Sequence, residues 1–215
     1  HLVVKSTSTV YGASSRDPAM FTEDMHPKRL PRSGFAKDAY EVEGYVRSFG
    51  RRRPDVRVTM LRAANVIGPH VTSPMTSYFR MPVIPRVLGF DPRLQLLHQD
   101  DLFGVLRHAA VGDVAGTFNV AGDGVLLLSQ AIRMLGKASV PMPGFAVGGV
   151  GSALRSARMA DFSPEQLGFL TFGRGIDTTR MRTVLGFEPA YTTAEAFADF
   201  AAGLDPRRRG EARVG

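Results

Sequence analysis

The segment Val3-Val4-Lys5-Ser6-Thr7-Ser8-Thr9-Val10-Tyr11-Gly12, near the start of the sequence, gives the strongest indication of the fold. A short apolar run there enters a cluster of serine and threonine, which predicts a buried strand that ends at a polar site. The hydroxyls at the strand end have two interpretations. They bind a ligand, or they only hydrogen-bond to the amides of the following loop.

The residues downstream alternate between loop, helical and extended patterns. Residues 13–31 carry scattered proline, aspartate and histidine without a period, which predicts a loop. Apolar residues then recur at helical spacing and predict an amphipathic helix that ends near Gly50 and Pro54. The residues of that apolar face are Phe35, Ala39, Val42, Val46 and Phe49.

The rest of the chain predicts further strands and capped helices, and therefore an α/β fold with a mainly parallel sheet. Strands are expected over 56–65, 94–98 and 116–122. Residues 141–151 are a joint rich in proline and glycine. Helices are expected after the caps Asp100 or Asp101, Ser129, Ser163, Asp177, and Thr192 or Thr193.

Composition narrows the class of protein. The 215 residues are 44% hydrophobic and contain no cysteine, which excludes a disulfide framework and thiolate chemistry. The absence of cysteine fits a reducing compartment, and we expect the cytoplasm. No stretch is apolar enough to predict a membrane span or a signal peptide.

The net charge of +7 does not by itself indicate a nucleic-acid partner. Arginines 51–53 and 207–209 account for six of these charges, and such basic runs are usually solvated. The first run follows the predicted helix, where cations suit the negative end of the helix dipole. The second lies in a polar tail, so we expect no nucleic acid and no membrane as partner.

Several segments, in order, resemble the extended short-chain dehydrogenases of the NAD-dependent epimerase/dehydratase family, of which UDP-glucose 4-epimerase is an example. Residues 3–12 resemble its Ser-Ser-x-x-Val-Tyr-Gly segment, and residues 61–69 resemble Leu-Arg-x-x-Asn-x-x-Gly-Pro. Residues 97–102 resemble His-Val-x-Asp-Leu, while residues 118–122 and 177–189 match two later fold landmarks. The resemblance covers about 200 residues, and these segments occur in the same order as in the family, so together they indicate the family more strongly than any one motif.

The resemblance implies the C-terminal part of a Rossmann-type doubly wound parallel sheet plus a small substrate-binding α/β subdomain. Residues 1–69 would belong to the Rossmann part, residues 70–203 to the substrate-binding part with a return strand near 116–122, and residues 204–215 to a basic flexible tail. The family begins with a glycine-rich unit that holds the dinucleotide, so about 100 residues are expected to precede this chain. The glycines of residues 144–151 do not substitute for that unit, and the isolated chain is expected to bind NAD weakly.

The resemblance also implies roles for individual residues. NAD would be the cofactor and a nucleotide-sugar the partner, with a homodimer as an option. Thr7 would hydrogen-bond the reacting sugar hydroxyl, with Ser6 beside it. Asn65 would contact the nucleotide-sugar, and Ala63 and Ala64 would face the nicotinamide. The phosphate-binding arginine of the family falls at Leu94, with Arg93 one residue away.

The catalytic Tyr-x-x-x-Lys pair of the family is replaced in this chain. Phe35 stands at the tyrosine position and Ala39 at the lysine position. In the family the tyrosine acts as general base and the lysine lowers its pKa, assistance worth about 10²–10⁴ in rate. Since both residues lie on the predicted apolar face of the helix, the site is expected to have become part of the core. Tyr11 or a bound water would then be the substitute base.

Three functions stay open at this stage. The first is an NAD-dependent epimerase or dehydratase with impaired or atypical catalysis. The second is a protein that binds nucleotide-sugar or NAD without turnover. The third is a structural or interaction protein of the same fold.

Overall fold

The computed structural model describes residues 1–27, 30, 34–143 and 164–204. The glycine-rich segment 144–151, the predicted cap Ser163 and the basic tail from residue 205 lie outside the described residues. In the part of the chain that the structure describes, no helix is long and apolar enough to cross a membrane.

A parallel three-stranded sheet forms the first of two regions in the molecule. Strand β1 covers Leu2–Thr7, helix α1 covers Gly34–Arg52, and strand β2 covers Val58–Ala63. Strand β7, Gly116–Val120, lies on the other side of β2, so the order is β1-β2-β7. Because α1 connects two parallel neighbours, β1-α1-β2 is a βαβ unit.

The remaining elements form a second region made of short strands and helices. The strands are β3 Asn65–Ile67, β4 Val83–Val87, β5 Arg93–Leu94, β6 Leu96–His98, β8 Leu126–Leu127 and β9 Ala138–Met142. Two pairs of them are parallel, β3 with β6 and β4 with β9, and one pair, β5 with β8, is antiparallel. The helices are α2 Pro74–Arg80, α3 Gln99–Val111, α4 Leu128–Met134, α5 Pro164–Phe172, α6 Thr179–Thr183 and α7 Thr193–Ala202.

Two hydrophobic clusters support these two regions. One cluster packs against the three-stranded sheet and includes Leu61 and Phe118. The other is built around Phe79, whose ring meets Phe197 edge to face at 4.9 Å between centroids. The division of the chain at residue 69 stays a prediction. The cluster around Phe79 comes almost entirely from later residues, but the cluster under the sheet draws on both sides of that position.

Helix α1 is rotated away from the orientation that its apolar spacing predicts. Phe35 is 65% exposed and Val42 is 50% exposed, whereas Ala36 and Glu43 are buried. The exposed pair and the buried pair each span seven residues, about two helical turns, and the buried pair follows the exposed pair by one residue. The face that meets the sheet is therefore displaced from the predicted face by about 100° around the helix axis. The expectation that the apolar face of this helix joins the core is therefore wrong for Phe35 and Val42, whereas Ala39 of that face does pack against the core.

Two helix caps, those of α3 and α4, also differ from the sequence prediction. His98, not an aspartate, caps α3 by accepting a hydrogen bond from the Asp100 amide at 3.2 Å. Asp101 instead accepts hydrogen bonds from the amides of residues 190 and 191. Ser129 lies inside α4, which begins at Leu128, and its amide and hydroxyl donate to the Asp91 carboxylate.

Of the other predicted caps within the described residues, Thr192 agrees with the structure and Asp177 lies one residue before the cap position. Thr192 caps α7 in a capping box with Glu195. Asp177 lies just before α6 and accepts a hydrogen bond from the Thr179 amide at 2.8 Å, although the residue at the cap position is Thr178.

Candidate functional site

A cavity of about 460 Å³ opens where β1 and β2 end and α1 begins. In open parallel sheets this edge, beyond the carboxyl ends of the strands, is where ligands bind. The lining includes several residues that the sequence singled out. These residues are Thr7, Phe35, Ala64 and Asn65.

Thr7 lines the cavity from the last position of β1. Its hydroxyl lies 2.9 Å from the Thr9 hydroxyl and accepts a hydrogen bond from the Thr9 amide at 3.2 Å. It thereby caps the 3₁₀ turn over Ser8–Tyr11. Thr7 therefore satisfies a loop amide and also lines the cavity, and its contact with a ligand stays a prediction.

Phe35 and Ala39, the replaced pair, have separate surroundings. The Phe35 ring lines the cavity and is mostly exposed, because it lies on the first turn of α1. Ala39 is partly buried and packs against the cluster beneath the sheet. The tyrosine position therefore still faces the cavity, while the lysine position has become part of the core packing.

Ala64 and Asn65 lie where the chain leaves β2. The Ala64 amide donates to the Val120 carbonyl at 2.8 Å, which fixes this turn against β7. Asn65 begins β3 and pairs with Leu96. Within the described residues, no hydrogen bond of the Asn65 side chain is present, so its amide can serve a ligand.

Ser6, Ala63 and Arg93 do not line this cavity. Ser6 precedes Thr7 on the strand and so points to the other side, where its hydroxyl donates to Glu43 at 2.6 Å. Ala63 is 1% exposed within the core. Arg93 is exposed at the first position of β5, beside a second depression of about 380 Å³ that Arg174 also lines.

The Ser6 contact belongs to a buried polar network beneath the sheet. Arg62 donates to Glu43 through Nε at 3.0 Å and Nη2 at 2.8 Å, and both side chains are almost fully buried. Burial opposes ionisation of Glu43, but hydrogen bonds and charge from Arg62, with Ser6 and Arg47, outweigh it and lower the pKa of Glu43. Because Glu43 lies on α1 and Arg62 on β2, this network fixes which face of α1 packs against the sheet.

Tyr11 is part of the same network, which makes it unsuitable as the substitute base. Its hydroxyl donates to Asn119 at 2.7 Å and accepts from Arg62 at 2.8 Å. Burial raises the pKa of the Tyr11 phenol despite the neighbouring guanidinium. Tyr11 is also 1% exposed and does not line the cavity, so the expectation that it acts as base is wrong.

Arg174 is a cavity residue that the sequence patterns do not indicate. It is 7% exposed, its Nε donates to the Gly12 carbonyl at 2.6 Å, and its guanidinium stacks over the Phe169 ring. Burial lowers the pKa of Arg174 to about 10, which still leaves it charged at neutral pH. The available signal was the sequence Gly173-Arg174-Gly175, an arginine between two glycines.

The two glycines place Arg174 against neighbouring backbone. A Cβ at Gly173 would lie 2.4 Å from the Arg93 carbonyl oxygen, and one at Gly175 would lie 2.8 Å from the Ala19 carbonyl oxygen. Only glycine allows so close an approach, and Gly173 also has a φ of 72°. Among the described residues, no group of histidine, aspartate and glutamate could hold a metal ion.

Comparison with known proteins identifies the family. The NAD dependent epimerase/dehydratase family matches residues 1–120, more than half of the chain. The protein belongs to this family, as the segments in the sequence predict. An uncharacterised protein of Mycobacterium tuberculosis is 49% identical over a 213-residue alignment that covers 96% of this chain and 57% of that protein. The chain thus spans little more than half the length of this relative.

Solved structures show the same fold at low sequence identity. UDP-glucose 4-epimerase from Thermotoga maritima, solved with UDP-glucose, is 17% identical with a TM-score of 0.67, covering 97% of this chain and 63% of the epimerase. UDP-glucuronic acid 4-epimerase from Bacillus cereus, solved with NAD, is 16% identical with a TM-score of 0.65, covering 94% and 60%. The predicted α/β fold with a Rossmann-type parallel sheet is confirmed.

Proposed function

We propose that this protein binds a nucleotide-sugar beside NAD in the 460 Å³ cavity and that its turnover is slow or absent. The observation that carries the proposal is the lining of the cavity. Thr7, Asn65 and Phe35 come together there, although they are far apart in the sequence. The solved structures of similar fold support the ligand class, since the epimerase from Thermotoga maritima was solved with UDP-glucose and the one from Bacillus cereus with NAD.

The residues of the cavity fit the nicotinamide end of NAD in one respect. Ala64 has a small side chain at the end of β2 and leaves room beside Thr7. When bound, NAD would supply hydride transfer to and from the sugar carbon. Thr7 would hold the reacting sugar hydroxyl, and the Asn65 amide would orient the sugar.

Slow turnover is expected because the side chain that would face the sugar at position 35 is a phenylalanine ring. A phenyl ring excludes water from one wall of the cavity, but it has no hydroxyl to accept or return a proton. Without a general base the rate falls by about 10²–10⁴, equal to about 3–5.5 kcal/mol of barrier. No tyrosine, histidine or carboxylate among the described residues lines the cavity to replace it. Binding without turnover is therefore the second candidate.

The first prediction restores the replaced pair in the full-length protein. With NAD and either UDP-glucose or UDP-glucuronate, the unmodified protein should epimerise slowly or not at all. Phe35→Tyr combined with Ala39→Lys should raise the rate, measured by product formation at C4. Phe35→Tyr alone should do little, because an unassisted phenol has a pKa near 10 and stays protonated at neutral pH.

Two controls make that assay decisive. Thr7→Ala should remove the activity gained by the double variant, while Val111→Ala, an exposed position on α3, should leave it unchanged. Robust turnover by the unmodified protein that survives Thr7→Ala would place the chemistry elsewhere and contradict the proposal.

A further inference from the structure

The charged side chains that line the cavity all carry a positive charge. Two cationic side chains, Lys5 and Arg174, line it, and among the described residues no aspartate or glutamate does. The rest of the lining is apolar, hydroxyl or amide in character. A concave site with two positive charges and low-dielectric walls concentrates anions.

Arg174 is the stronger of the two receptors because it is buried without a carboxylate partner. Its Nη1 reaches only the Ser8 hydroxyl, at 3.5 Å, and its Nε reaches the Gly12 carbonyl. Within the described residues it forms no ion pair, and Asp17 acts on it only through space. A buried charge without its counter-charge is costly, and a ligand anion would supply the missing partner.

The position of Arg174 indicates which part of a nucleotide-sugar carries that anion. Arg174 contacts Ser8, the residue next to Thr7, and both Thr7 and Arg174 line the cavity. Under the proposed function Thr7 meets the reacting sugar hydroxyl, so Arg174 meets the sugar rather than the nucleotide. The planar guanidinium fork matches a carboxylate.

We propose that the cavity selects a nucleotide-sugar whose sugar carries a carboxylate, with Arg174 as the receptor of that group and Lys5 adding to the positive field. This inference rests on the proposed function and narrows its substrate class to the uronates. It requires binding only and is independent of whether the bound sugar turns over.

The test compares two ligands that differ only at that group. UDP-glucuronate and UDP-glucose are titrated calorimetrically into the full-length protein with saturating NAD. The unmodified protein should bind UDP-glucuronate more tightly by about tenfold or more, equal to about 1.4 kcal/mol. Arg174→Met should reduce this preference to within about twofold, mainly by weakening UDP-glucuronate binding.

Matched variants separate the receptor from its surroundings. Arg93→Met makes the same substitution at an exposed arginine outside the cavity and should keep the full preference. Arg174→Lys retains the charge and should keep part of it. Lys5→Met should reduce the preference without removing it, since Lys5 is exposed.

Each outcome supports or overturns the inference. Equal affinities in the unmodified protein overturn it but leave the proposed function standing. Binding of neither ligand refutes the proposed function and the inference with it. If Arg174→Met weakens both ligands equally, Arg174 serves the diphosphate and the carboxylate assignment is wrong. Should Arg174→Met fail to fold, the unmodified protein and Arg174→Lys still decide.

Discussion

At the scale of single residues, the buried pair Glu43–Arg62 determines how the site is built. Glu43 lies on α1 and Arg62 on β2, and two hydrogen bonds join them in a nearly dry environment. Since Ala36 lies seven residues before Glu43 on the same face of α1, the pair also fixes which residues of the first turn meet the sheet. Phe35 is therefore turned toward the cavity rather than into the core.

Glu43→Gln should destabilise the protein strongly. The substitution leaves the Arg62 guanidinium buried without its counter-charge, a change that costs about 3–5 kcal/mol. Chemical unfolding measures the loss. Asp113→Asn, which breaks the exposed ion pair with Arg57, is the control and should cost less than about 1 kcal/mol. Similar small costs for both variants would contradict the role given to the network.

The same pair predicts a dependence of stability on pH. The pKa of Glu43 is lowered below its ordinary value of 4.5, so its contribution is fully present above that pH and is lost as the pH falls through the lowered pKa. The difference in unfolding free energy between the unmodified protein and Glu43→Gln should therefore shrink in acid. Unfolding series from neutral pH to about pH 3 would measure it, and a constant difference would argue against the assignment.

At the scale of elements, the segment between α5 and α6 positions Arg174. The Arg174 amide donates to the Arg93 carbonyl at 3.2 Å, and Arg174 forms an isolated bridge with Leu94 on β5. The neighbouring Ile176 forms a second bridge, with Phe21 in the loop after β1. One short segment thus joins strand β5 of the second region to the loop that follows β1.

Gly173→Ala should disturb this junction more than the same change at Gly186. Both glycines have a φ of 72°, so both variants incur about 1–2 kcal/mol of backbone strain. At Gly186 a Cβ meets nothing within 4 Å, whereas at Gly173 it would lie 2.4 Å from the Arg93 oxygen. Thermal unfolding measures the difference, and titration with UDP-glucuronate should show weaker binding for Gly173→Ala alone. Equal melting temperatures would show that the close approach has no structural role.

At the scale of the whole molecule, two surfaces of residues 1–215 lack a partner among the described residues. Strand β1 is hydrogen-bonded on one side only, because it is the first strand in the order β1-β2-β7. Helix α1 presents Phe35, Val42 and Tyr45, with exposures of 65%, 50% and 74%. Open strand edges and apolar patches promote association.

A polypeptide of residues 1–215 alone should therefore self-associate as its concentration rises. Light scattering after size-exclusion chromatography measures the mass. Val42→Glu with Tyr45→Glu should reduce the association by placing charge on the α1 face. Val111→Glu, which charges an apolar side chain exposed on α3, should not. A sharp monomer with cooperative melting at every concentration would contradict this expectation.

Local patterns in the sequence were enough to predict most elements and the family. The apolar run before Thr7, the helical spacing after Gly34 and the glycine that follows β7 are signals carried by neighbouring residues. Backbone preferences and the periodic spacing of hydrophobic residues depend on residues close in sequence, so they can be recognised without knowing the fold. The α/β class with a parallel sheet followed from their alternation, and the landmarks in order indicated the epimerase/dehydratase family.

The tertiary structure alone decided the rotation of α1 and the composition of the cavity. The sequence alone predicts that Glu43 is an ordinary polar residue on the exposed side of a helix. Its burial depends on the ion pair with Arg62, which lies on a different element, β2. Arg174 is distant in sequence from Thr7, and close backbone approaches at two glycines bring it to the cavity. Both outcomes depend on contacts between residues far apart in the chain, which no local period encodes.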